Sequence, residues 1–120
     1  MSLYKIANLD DQIFTLKSNL MKYMSHHGFD LSKPIHCLNP AHDDRHPSMS
    51  YFVDDGIPKL HCFGCNTSLD VFNCAHILHH KPISGPGFID DTIVHVAEVV
   101  GVKLEMQQMS HEDIHRLTLY

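Results

Sequence analysis

The chain has 120 residues, with nine Lys and Arg against 14 Asp and Glu, a formal net charge of -5. That balance argues against tight, autonomous, phosphate-driven binding to nucleic acid. With 43% apolar residues and no apolar run long enough to span a bilayer, the chain reads as one soluble domain over 1–120, with a modest core that a metal would help to stabilise.

Near the N-terminus, Ile13, Leu16, Leu20 and Met24 recur at helical spacing. They predict a helix over 10–28, capped by Asp10 or Asp11 and stopped by Gly28. The opening MSLYKIANLDDQ lacks the apolar core of a secretory signal. The cysteines are therefore expected as thiols in a reducing cytoplasm.

The stretch from about 35 to 70 carries the chemistry. Cys37 and His42 form a C-x4-H pair, Cys62 and Cys65 a C-x2-C pair, and 19 residues lie between them. Two short chelate loops joined by a hairpin supply four ligands to one tetrahedral zinc at small closure entropy. Pro40 stiffens the first loop, and Phe63-Gly64 lets the second bend tightly. Between the pairs, residues 48–53 and 58–63 read as two strands and Asp54-Asp55-Gly56 as their turn. The expected architecture is α+β: a small antiparallel zinc ribbon with helical flanks over 10–28 and 70–118.

Beyond the ribbon, Asp70 is placed to cap a helix through Val71, Phe72, Cys74, Ala75, Ile77 and Leu78 to about His80. Cys74 falls on its apolar side and is expected as a buried thiol. His76, His79 and His80 lie together here, with His76 and His80 four apart, but no acidic partner accompanies them, so all three read as edge-of-core or solvated histidines. Lys81 to Gly87 is a Pro- and Gly-rich connector. A helix capped near Asp90 or Asp91 follows, with Ile93, Val96, Ala97 and Val100 on one face and Gly101 as its stop. Ser110-His111-Glu112-Asp113 predicts the cap of a last short helix.

The run C-x4-H-D-x-R-x-P-S-M, a hydrophobic hairpin, H-C-F-G-C and then D-V-F resembles the zinc-binding domain of bacterial and phage DNA primases. Cys37, Pro40, His42, Pro47, Ser48, His61, Cys62, Phe63, Gly64, Cys65, Asp70 and Val71 carry the likeness, about a third of the chain. The four-residue gap before His42 is closer to phage and mobile-element members. Asn66 to Leu69 replaces the family's glycine-rich turn.

The resemblance implies one structural zinc and a role in template recognition, holding single-stranded DNA while a separate catalytic domain makes the primer. It also implies a linker and catalytic domain beyond the last helix, so the chain is either a fragment or a stand-alone module. Primer synthesis needs clustered carboxylates for magnesium, and the acidic pairs here sit at caps, a ligand loop and a turn. No activity is expected from these residues alone. The candidate DNA contacts are Arg45, Lys59, His61, Tyr51 and Phe63, and in a hairpin at least one of Tyr51 and Phe52 must face the core. His61 is expected to pack or to hydrogen-bond a thiolate. The other reading is a zinc-ribbon interaction module that docks a replication partner such as a helicase.

Overall fold

In the computed structural model, which describes residues 4–42 and 46–108, the ribbon is a three-stranded antiparallel sheet rather than a bare hairpin. Its strands are β2 (Met49–Asp54), β3 (Ile57–Cys62) and β4 (Thr67–Leu69), with β1 (Tyr4–Ile6) lying elsewhere. The β2–β3 turn is Asp55-Gly56, with φ of 54° and 79°. Two successive left-handed residues match the twist of the flanking strands, which is why an Asp-Gly pair closes this hairpin. Both strands are offset by one residue from the expected 48–53 and 58–63. Pro58 is tolerated inside β3 because β4 pairs only with Leu60 to Cys62. In a two-residue hairpin the nitrogen of Pro58 points to that unpaired edge.

β4 is a strand the sequence pattern did not announce. Asn66 adopts φ 60° and donates its N–H to the Cys62 carbonyl at 2.8 Å, reversing the chain into Thr67. Asparagine tolerates this conformation better than most residues.

The single helix expected over 10–28 is two, α1 (Leu9–Lys17) and α2 (Leu20–His26). Ser18 Oγ donates to the Phe14 carbonyl at 2.9 Å and Asn19 Nδ2 to the Thr15 carbonyl at 2.7 Å. Such side-chain bonds compete with the helical ladder where it breaks. Asn8, in a left-handed conformation, precedes α1 in place of Asp10 or Asp11, which sit in its first turn and favour its positive end. Gly28, with φ 86°, ends the second helix as expected.

α3 (Val71–His79) starts as its sequence indicates. Asp70 Oδ1 accepts from the Asn73 N–H at 2.9 Å, and Asn73 Oδ1 accepts from the Asp70 N–H at 3.0 Å, a reciprocal cap. The next helix begins earlier than predicted, at 86–87, runs through a π-helical turn (Phe88–Ile93) and continues as α4 (Val94–Val100). Asp90 and Asp91 therefore lie inside the wide turn and cap nothing. Gly101, with φ 75°, closes α4.

The second flank is not helical throughout: β5 (Met106–Gln108) pairs antiparallel with β1, Lys5 opposite Gln107. Gln12, buried, holds this small sheet to α1. Its amide donates to the Ala7 carbonyl and, at 2.9 Å, to the Glu105 carbonyl, and accepts from the Glu105 N–H at 2.8 Å. The helix expected after Ser110 lies outside the described residues.

One apolar cluster joins the layers. Leu16, Leu20, Tyr23 and Met24 meet Met49, Leu60 and Cys62 of the ribbon and Val71, Cys74, Ile93, Val96 and Val100 of the later helices. Leu16, Leu20 and Met24 are fully buried, as their spacing predicts, and so are Ile93 and Val96. Cys74 is a free, buried thiol that burial pushes up to about 12.

Candidate metal centre

A loop before the sheet and a tight turn inside it bring four donors together. Cys37 and His42 come from the first, Cys62 from the end of β3 and Cys65 from the turn into β4. One donor atom of each lies within 4.8 Å of the others. Cys37 Sγ is 3.6 Å from Cys65 Sγ, and Cys62 Sγ is 3.5 Å from His42 Nδ1. Cys62 is buried and the other three are half-buried. Three thiols and an imidazole at this separation suit a single metal ion such as zinc.

The turn is shaped for this closeness. A Cβ placed on Gly64 would stand 2.7 Å from Cε1 and 3.1 Å from Nε2 of His42, so any side chain here would force the imidazole to shift. In the first loop Asn39 Oδ1 accepts from the Ala41 N–H at 3.0 Å, and the Asn39 carbonyl accepts from the His42 N–H at 3.0 Å. This side-chain turn around Pro40 folds His42 back over Cys37.

Around the donors lies a ring of polar groups that pattern reading missed. The Asn39 N–H points at Cys37 Sγ at 3.4 Å and its side-chain amide at Cys65 Sγ at 3.8 Å. Thr67 Oγ1 is 3.1 Å from Cys65 Sγ, and Ser48 Oγ 3.3 Å from Cys62 Sγ. Such groups orient ligands and stabilise thiolate charge. Burial opposes ionisation of Cys62, but the Ser48 hydroxyl and the N–H groups of Cys65 and Gly64 outweigh it and hold the thiol down to about 6. Burial pushes Cys37 up to about 12. A metal bound here would displace the thiol protons.

His61 takes no part in this ring. Its Nδ1 is hydrogen-bonded to Ser68 Oγ at 2.8 Å rather than to a thiolate, and its ring packs against neighbouring aromatics. It lies on the outer face of the sheet, where residues alternate away from the core. Phe52 and Lys59 share that face as cross-strand neighbours. The His61 ring meets Phe63 edge-on at 4.8 Å and Phe52 at 6.0 Å. Phe63 is 76% exposed. Tyr51, opposite Leu60, turns to the other side and packs against the core cluster, half-buried. Lys59 Nζ is 3.6 Å from Asp54 Oδ2. The structure therefore gathers Lys59, His61 and Phe63 with Phe52 and sets Tyr51 apart, while Arg45 lies outside the described residues.

Among the described residues no helix is long and apolar enough to cross a membrane. No protein-family model matches the chain, and neither a curated protein nor a solved structure is similar to it.

Proposed function

We propose that Cys37, His42, Cys62 and Cys65 bind one structural zinc ion, and that the ribbon so formed is a primase-type template module. In this reading it contacts single-stranded DNA and supports primer synthesis by a catalytic domain elsewhere. The observation that carries the reading is the outer face of the sheet beside the candidate metal centre. Phe52, His61 and Phe63 form a row of rings with Lys59 among them. Bases of any sequence stack on such rings, and a few cations suffice to hold a backbone weakly. Zinc would fix the tilt of this face by tying the end of β3 to the loop that leads to Arg45.

The acidic balance and the Lys59–Asp54 pair favour a second reading, in which the same aromatic face docks a protein of the replication machinery, such as a helicase. Anisotropy of a labelled single strand separates the two. Weak binding that falls with salt, and that Arg45→Ala with Lys59→Ala removes at unchanged metal content, supports the template reading. Lys33→Ala with Lys103→Ala should bind like the parent. Phe63→Ala should cost about 1–3 kcal/mol with little change in salt slope. Equal binding by both double variants would overturn the template reading in favour of the docking one, and micromolar duplex binding at physiological salt would overturn the template reading outright.

A further inference from the structure

Among the described residues a second group of donors converges where the ends of three helices meet. His27 follows α2, His79 ends α3 and His95 stands in the first turn of α4. One ring nitrogen of each lies within 4.8 Å of the other two. The Nε2 atoms of His27 and His79 are 2.6 Å apart, and the His79 and His95 ring centres 4.9 Å. His76 and His80, the pair four apart in sequence, are not in this group; His76 Nδ1 instead meets the Lys81 carbonyl at 2.8 Å.

The surroundings point the rings inward. His27 Nδ1 is 2.9 Å from the Tyr23 carbonyl, which can only accept, so the proton sits on Nδ1 and Nε2 offers its lone pair toward His79. Tyr23 Oη lies 2.9 Å from His95 Nε2. With the His95 proton on Nε2 and donated to the phenol oxygen, Nδ1 of His95 is left with a free lone pair. A carbonyl and a phenol behind two of three imidazoles are the kind of outer partners that metal-bound histidines have.

We propose that His27, His79 and His95 form a second site, for a divalent transition-metal ion. Three neutral nitrogen donors favour zinc, nickel or copper(II) over magnesium or calcium. Three protein ligands leave a coordination position for water or an added ligand. Bonds of about 2.0–2.1 Å in a tetrahedron place nitrogens about 3.3 Å apart, so His27 and His79 must separate by less than 1 Å on loading, roughly. His79 is exposed. Lys81 repels a cation, but its ion pair with Asp91 at 2.7 Å offsets that. The bound ion would clasp the ends of three helices that otherwise meet here through the Tyr23–His95 and His27–His79 contacts.

The test is a zinc titration of the full chain followed by calorimetry and thermal melting, compared between variants. The parent is expected to bind one equivalent more than His79→Ala, and that equivalent should raise the melting temperature of the parent alone. His76→Ala with His80→Ala should keep the parent stoichiometry, and His95→Gln should lose the extra equivalent. In the parent, imidazole proton resonances of His27, His79 and His95 should move with that equivalent while those of His76 and His80 do not. This measurement needs no variant to fold. Equal stoichiometry in parent and His79→Ala, loss of the equivalent on changing His76 and His80, or unmoved resonances of the three rings would each overturn the proposal. Adventitious binding to scattered surface histidines survives His79→Ala and therefore counts against it.

Discussion

The two donor clusters of this chain are built in opposite ways. At the ribbon, each pair of donors is local: Cys37 with His42, and Cys62 with Cys65, are held by turns of a few residues. At the helical end, His27, His79 and His95 come from three separate helices, and no two lie close in sequence. The ribbon donors depend on one glycine, one asparagine turn and a hairpin register. The histidines depend on the packing of the whole core. Local chelation makes a site that can organise a small fold, whereas a site assembled from distant helices needs the fold first.

That contrast can be broken at the ribbon first. Cys62→Ser should have the largest effect: loss of metal and of ordered ribbon, because metal binding in small domains supplies folding free energy of about 10–16 kcal/mol in apparent terms. Metal analysis with circular dichroism reads both losses, and a variant that keeps the full metal content and spectrum of the parent would remove Cys62 from the ligand set. Gly64→Ala comes next. Its Cβ would collide with the His42 ring, so metal affinity should fall further than it does when an outer partner is lost. Competition with a chromophoric chelator measures the difference.

Thr67→Val keeps the shape beside Cys65 but removes the hydroxyl 3.1 Å from its sulfur. Affinity should fall about 10–100-fold with the ligands intact. An unchanged affinity would mean that the polar ring around the thiols is incidental. Cys74→Ser should have the smallest effect on metal, namely none. A buried hydroxyl in place of that thiol should cost stability, about 1–3 kcal/mol, seen in denaturant melts at constant metal content. If metal content falls with it, the fourth cysteine belongs to the centre.

The ribbon donors and the main helix faces were legible because their information is short-range. Cys37, His42, Cys62 and Cys65 carry a chelate spacing, Asp70 a capping pattern, and Leu16, Leu20 and Met24 a helical period, each visible within a few residues. Boundaries were less legible. Asn8 took the place of Asp10 or Asp11 before α1, and the helix leading into α4 began ahead of Asp90 through a π-helical turn, because packing of Phe88 against Phe72 outranks local capping preference.

What only the tertiary structure decided are relations between distant residues. Strand alternation required that Tyr51 and Phe52 take opposite faces, but the register against Leu60 and Lys59 chose which one packs inward. Pairing of β4 with β3 placed Thr67 beside Cys65 and Ser68 beside His61. The meeting of His27, His79 and His95 depends on three helix orientations at once. Spacing along a chain fixes neighbours over one turn or one hairpin; the mutual placement of helices is set by how the buried side chains between them fill space.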